Sequence, residues 1–310
     1  MFLDIFQCYN VAFCKKHQNL NIPHSHFSRK IKMRFGKICY LNLLPFDMFI
    51  KSYPTPSRFK QSLFAHSSYP AKLNQSFLFN RIDAGFISSI AGVSSHNKQC
   101  GKYATKSGII AKGAVWSVLV KHSTPKNDYQ SDTSNTLSKA LGLKGEVIIG
   151  DKALLWLYQN KKTQNDFYEA KSKSNYKDSR KNISHYTQGY TSEQGYIDMG
   201  EAWFSKQGLP FVFGRLCCVK KYATFYEQIS SRFNAKFNPK RVKIPHFWLL
   251  ERARQMGISL DFAKEYLAHI YYKIGAKESI AIARFYRLAR LMRLNPPKRA
   301  YKTQKHPKSK

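Results

Sequence analysis

Five places in the chain set hydroxyl, amide or glycine–acid groups where an apolar run stops or is interrupted. Asn42 follows a strand-like run at 34–41 and precedes Leu43-Leu44-Pro45. Ser88 and Ser89 end the compact run Ile82-Asp83-Ala84-Gly85-Phe86-Ile87, and Ser117 lies inside Ala114-Val115-Trp116-Ser117-Val118-Leu119-Val120. Ser131-Asp132-Thr133-Ser134-Asn135-Thr136 opens a helical pattern, and Gly150-Asp151 closes Glu146-Val147-Ile148-Ile149 before another. Strand ends and helix starts are where α/β folds present ligands, and hydroxyls beside free backbone N–H groups suit an anion. Each feature also has a plainer reading. Asn42 fits a turn after a strand, Thr133 or Ser134 fits N-capping, and Ser117 fits a core hydroxyl with a hydrogen-bond partner.

General acid–base chemistry needs a titratable group within reach of the reacting atoms. No His or carboxylate sits where this strand-end pattern demands a general base. Asp151 and Glu201 come nearest, and helix capping or ion pairing accounts for both. The six cysteines, Cys8, Cys14, Cys39, Cys100, Cys217 and Cys218, form no CxxC pair and read as reduced thiols. Cys217-Cys218 sits in an apolar run and reads as buried strand. There is no glycine-rich phosphate loop and no metal-ligand spacing, so neither cofactor nor metal is expected.

The elements that must position these groups alternate. Apolar spacing predicts strands near 34–41, 82–87, 109–120, 146–149 and 209–218, with helices between them. Helices dominate later, at about 245–255, 260–272 and 276–291, with Ser259 as a cap. The apolar runs 115–120 and 211–218 bracket a middle section, as in a chain that crosses to a second lobe and returns. A cleft between lobes is a common ligand site. The Lys-, Ser- and Tyr-rich stretch 160–194 lacks an apolar face and reads as a mobile surface loop.

With 310 residues, 43% of them hydrophobic, the chain is long and apolar enough for one or two folded domains. Lys and Arg number 52 against 18 Asp and Glu, a formal charge of +34. Much of that surplus sits in 160–181 and in a basic tail at 294–310, not on one amphipathic face. No zinc-finger, RNA-binding-sheet or helix-turn-helix signature accompanies it, so no specific nucleic-acid partner is expected. No apolar run reaches the ~20 residues of a membrane span, and residues 1–13 make a poor secretory signal. The expectation is a cytoplasmic protein without a membrane partner. Residues 1–32 read as an unstructured extension, with Met33 an alternative start.

Several ordered segments carry a resemblance: Gly36-Lys37-Ile38-Cys39-Tyr40-Leu41-Asn42 with Leu44-Pro45; Asp83 through Ser89; Trp116-Ser117-Val118-Leu119; Ile149 through Leu154; Gly208-Leu209-Pro210-Phe211-Val212-Phe213; and Tyr272-Lys273-Ile274-Gly275. Together, over about 33–293, they resemble chorismate dehydratase of the futalosine route to menaquinone. The sister enzyme that makes dihydroxynaphthoate begins with a Ser-Pro-Cys-Pro-Asn-type motif; this chain has Tyr-Leu-Asn-x-x-Pro. The resemblance implies a two-lobed α/β fold like the type II periplasmic binding proteins, with two crossing strands. Lobe 1 would take 33–118 and 215–293, and lobe 2 would take 119–214. It also implies loss of water from chorismate to give 3-[(1-carboxyvinyl)oxy]benzoate, a lyase reaction without a cofactor. The family's functional Asn and Ser fall on Asn42 and Ser117, and a strand-end hydroxyl falls on Ser88. Ser89, Thr133, Ser134, Gly150 and Asp151 complete the expected substrate contacts. Cys39 departs from the polar or acidic residue of many relatives. The alternative on the same fold is a solute-binding protein for a small anionic metabolite, without chemistry.

Overall fold

The structure, a computed structural model, describes residues 33–55, 60–61, 66–91, 101–173, 195–237 and 244–292. The expected extension at 1–32, the tail at 294–310 and the stretch 174–194 lie outside the described residues. Two sheets organise the rest. The larger holds β1 (Phe35–Lys37), β2 (His66–Ser67), β3 (Ala84–Ser88), β4 (Lys102–Ala111), β8 (Phe211–Val219) and β9 (Ile270–Lys273), in the order β2-β1-β3-β8-β4-β9. The smaller holds β5 (Val118–Lys121), β6 (Glu146–Ile149) and β7 (Tyr196–Asp198), in the order β6-β5-β7.

The first strands pair in parallel, β1 with β2 and with β3, as a βαβ unit requires. The helix between β1 and β2 is α1 (Leu44–Ser52). Pro45 sits in its first turn, where a missing N–H is harmless, and Phe46, Phe49 and Ile50 are buried at helical spacing. These meet Phe35, Phe86, Phe233 and Tyr272 in an aromatic core under the large sheet. Helix α2 (Pro70–Leu78) packs behind β3.

β8 runs antiparallel between β3 and β4. The chain leaves the large sheet at Ala111, reaches the small sheet at Val118, and returns at Phe211. Two short connections, 112–117 and 208–210, therefore join two α/β lobes. The nearly continuous apolar run 114–120 is not one strand. Trp116 takes a left-handed φ of 60°, so the ladder starts only at Val118, which is the first residue of the central strand of the small sheet. Helices α3 (Asp132–Leu141), α4 (Gly150–Lys173) and α5 (Met199–Gln207) belong to this lobe, with Leu137, Ala153, Leu154, Ala202 and Trp203 buried.

Two expectations need correction. Helix α4 continues through 160–173, where a loop was expected. That segment contains no Gly or Pro and carries four helix-tolerant lysines, so nothing in it breaks a helix that no apolar stripe announces. The expected helix at 260–272 is instead α8 (Leu260–Ala268) followed by β9, whose Ile-Tyr-Tyr-Lys run pairs with the free edge of β4. Helices α6 (Ala223–Lys236), α7 (His246–Met256) and α9 (Ala276–Leu291) complete the described elements.

Candidate active site

A cleft with about 560 Å³ of empty space, its mouth included, lies between the two sheets. Its floor is apolar: Ile38, Phe86, Ile109, Val115, Val118, Ile149 and Phe213. Its polar groups are neutral: Tyr40, Asn42, Ser88, Ser117, Ser131, Thr133 and Ser134, with Gly150 and Gly214 presenting backbone. No charged side chain appears among the described residues that line it.

Six of the eight expected site residues meet here although they come from distant segments. Asn42 lies in the single 3-10 turn Leu41–Leu43 that joins β1 to α1, and it is buried. Its carbonyl accepts a 2.6 Å hydrogen bond from the Tyr272 hydroxyl. Its side-chain Oδ1 is buried without a hydrogen-bond partner, an arrangement rare enough in folded proteins to call for a ligand or water. Ser88 ends β3, and its N–H donates to Asn74 Oδ1 at 2.9 Å. Ser117 is buried, and its hydroxyl accepts from the Tyr266 hydroxyl at 3.0 Å. Gly150 donates its N–H to the Ser117 carbonyl at 2.8 Å, tying β6 to the crossover.

Thr133 and Ser134 lie in the first turn of α3. Ser131 is the N-cap; its hydroxyl accepts from Ser134 N–H at 3.1 Å and donates to the Ser134 hydroxyl at 2.9 Å. Thr133 Oγ1 accepts from Ile90 N–H at 3.1 Å, which fastens this helix of the small-sheet lobe to the end of β3. Capping and cleft lining thus coexist, since one hydroxyl caps and its neighbours face the cleft.

Ser89 and Asp151 do not line the cleft. The Ser89 hydroxyl donates to the Val212 carbonyl, and its own carbonyl accepts from the Tyr286 hydroxyl at 2.6 Å. One residue beyond Ser88, the chain has already turned away from the cleft. Asp151 sits behind the wall. Its Oδ1 accepts from Leu41 N–H at 2.9 Å and its Oδ2 pairs with Arg252 at 2.7 Å. Burial raises its pKa, against Leu41 N–H and the Arg252 charge. Arg252 also donates to the Cys39 carbonyl, so Asp151 and Arg252 brace the segment that carries Asn42. Glu201 is exposed on α5 and accepts from the Ser205 hydroxyl at 3.4 Å.

Three residues important to this geometry escaped sequence reasoning: Tyr266, Tyr272 and Asp198. Asp198 caps α5, accepting from Gly200 N–H at 2.8 Å and Glu201 N–H at 3.1 Å. It also accepts from Val115 N–H at 3.0 Å and Trp116 N–H at 2.6 Å. This second pair holds the left-handed turn immediately before Ser117. The protein interior raises the Asp198 carboxyl to about 6, against these four N–H groups, which favour its charged form. The Trp116 ring lies beneath the Lys161 ammonium at 3.6 Å and stacks on Phe262 at 5.1 Å. An Asp followed by Glu three residues on is a helix-start signal, so the cap was readable from Asp198 and Glu201. Its grip on the crossover was not.

The two sheets, the two crossings and the hydroxyl-lined cleft define a two-lobed α/β protein of the periplasmic-binding-protein type II-like class. Among solved structures, the chain is similar to protein AF1704 from Archaeoglobus fulgidus, with a TM-score of 0.53 and 14% identity over 88% of this chain and 100% of that one. It also overlaps the periplasmic aliphatic sulphonate binding protein SsuA from Escherichia coli, with a TM-score of 0.45 and 14% identity over 86% of this chain and 89% of that one. No protein-family model matches the sequence. Over 266 residues the chain is 37% identical to a chorismate dehydratase from Campylobacter jejuni strain 81-176, which spans 84% of this chain and 100% of the relative. The chain belongs to the chorismate dehydratase family.

Proposed function

We propose that this protein is a lyase that removes water from chorismate to give 3-[(1-carboxyvinyl)oxy]benzoate, as a step of the futalosine route to menaquinone in the cytoplasm. The observation that carries the reading is the unpartnered Asn42 Oδ1, buried beside Ser117 in one cleft of a chain similar to a chorismate dehydratase.

The reaction breaks the C3–H and C4–O bonds and leaves an aromatic ring, so the product side is strongly favoured. The enzyme's task is to align the two breaking bonds and shelter them from water. The hydroxyls of Ser88, Thr133 and Ser134, with N–H groups of the α3 first turn, suit the two carboxylates of chorismate. Phe86, Phe213 and Ile149 suit the flat ring. Since the described cleft lining offers no His, Asp or Glu, the enolpyruvyl carboxylate of the substrate takes the C3 proton. Asn42 and Ser117 orient that carboxylate and the departing C4 hydroxyl.

The test replaces Asn42 or Ser117 by Ala and follows chorismate turnover together with thermal unfolding. Loss of one preorganised hydrogen-bond group costs about 10²–10³ in kcat when it acts on developing charge. Full turnover by either folded variant refutes the assignment. Tight chorismate binding by the wild type without conversion favours the solute-binding alternative.

A further inference from the structure

Ser117 receives a hydrogen bond from a tyrosine that does not line the cleft. Tyr266 comes from α8, is 1% exposed, and donates its hydroxyl proton to Ser117 Oγ at 3.0 Å. Burial, the largest influence, lifts the Tyr266 phenol above its ordinary range. The phenol therefore stays protonated across the pH range in which proteins work, and its O–H remains a donor.

That direction has a consequence for Ser117. A serine hydroxyl has one proton and two lone pairs. One lone pair is occupied by Tyr266, and Ser117 O–H has no acceptor recorded among the described residues. Ser117 lines the cleft, so its proton is left for whatever the cleft holds. Asn42 has the opposite polarity, because its buried Oδ1 is unpaired. The cleft thus holds a donor at Ser117, set by the phenol, and an acceptor at Asn42.

We infer that Tyr266 is a positioning residue that fixes Ser117 as a hydrogen-bond donor to the leaving C4 hydroxyl of the substrate. This rests on the dehydratase reading above. In the step itself the C3 proton passes to the substrate's carboxylate, the C3–H electron pair becomes the new ring double bond, and the C4–O pair leaves with oxygen as hydroxide, which takes up that proton and departs as water. Ser117 eases that departure by donating, and Tyr266 neither gains nor loses a proton.

The experiment uses the full chain and chorismate, with Tyr266→Phe, Ser117→Ala and the double variant. Phe keeps the ring and its packing, so the hydroxyl alone is removed. Tyr266→Phe is expected to lower kcat by about 10- to 100-fold, with KM changed by less than about threefold. In the Ser117→Ala background the same change is expected to lower kcat by less than about twofold, because the hydroxyl it orients is gone. A purely structural tyrosine would lower Tm and cut activity by the same factor in both backgrounds, and that result overturns the inference, as does full activity of Tyr266→Phe. A crystal structure of Tyr266→Phe gives a readout independent of turnover. The Ser117 hydroxyl is expected to swing to a new acceptor; an unmoved Ser117 rotamer overturns the inference. A wild type that leaves chorismate unconverted refutes the dehydratase reading, and the rotamer then decides the role of Tyr266 separately.

Discussion

Replacing Asp198 by Ala removes at one stroke the acceptor for four backbone N–H groups, those of Val115, Trp116, Gly200 and Glu201. Loss of the N-cap alone costs about 1 kcal/mol. The crossover residues Val115 and Trp116 are buried, and each N–H left unpaired there costs about 1–3 kcal/mol. Trp116 is held in a left-handed conformation that costs about 1–2 kcal/mol for a non-glycine residue, so the freed turn relaxes and returns part of that. The net loss is about 3–5 kcal/mol, a large share of the 5–15 kcal/mol typical of a domain. Asp198→Asn keeps a carbonyl acceptor but not both oxygens, and should lose about half as much. Urea unfolding measures this as a fall in midpoint at constant slope, and chorismate turnover of the folded fraction measures the displacement of Ser117. The Asn variant is expected to lose proportionately more kcat than stability, because the turn it loosens carries the Ser117 hydroxyl. An Ala variant within about 1 kcal/mol of wild type, with normal kcat, would refute the claim that Asp198 holds the crossover.

Other perturbations test neighbouring parts of the site. Gly150 has a φ of +65°, and a Cβ there would sit 2.6 Å from the Tyr40 ring, so Gly150→Ala should cost about 1–2 kcal/mol and raise KM as Tyr40 is pushed into the cleft; unchanged KM contradicts this. Asp151→Ala removes the acceptor of Leu41 N–H and the partner of Arg252. It should destabilise by about 1–3 kcal/mol and lower kcat through Asn42, as thermal unfolding and turnover together will read. For Asp83, burial pushes the carboxyl up, but hydrogen bonds and charge from Arg34 outweigh it and hold the pKa below the usual range. A depressed carboxyl stabilises the fold above its unfolded pKa of about 3.9 and loses that contribution as pH falls through the folded value. The stability gap between wild type and Asp83→Asn should therefore be full at neutral pH and close below about pH 4, and a gap independent of pH contradicts the ion-pair account.

Much of this cleft was legible because strand ends and helix starts leave a local mark. Asn42, Ser88, Thr133, Ser134 and Gly150 each follow an apolar run or open a helix, and all five line one space. Ser117 was legible as an odd hydroxyl in an apolar run. What is not local stayed hidden. Tyr266 lies 149 residues from Ser117, and Tyr272 lies 230 residues from Asn42. On the single helix that apolar spacing suggested, six positions apart, those tyrosines would face different sides. The break between α8 and β9 turns both inward, and it comes from pairing with the edge of β4, a tertiary effect. Ser89 and Asp151 failed as cleft residues for a related reason. Spacing reveals that a polar group sits at a strand end but not which way a single residue turns, and here Val212 and Tyr286 claim the one while Leu41 and Arg252 claim the other.

The most direct measurement is a proton NMR time course of purified protein with chorismate alone, without added metal or cofactor. The ring signals of chorismate are expected to disappear as aromatic signals of 3-[(1-carboxyvinyl)oxy]benzoate appear in equal amount, with both enolpyruvyl methylene protons retained. Chorismate that remains unchanged, or that yields a product without the enolpyruvyl ether, would contradict the dehydratase reading.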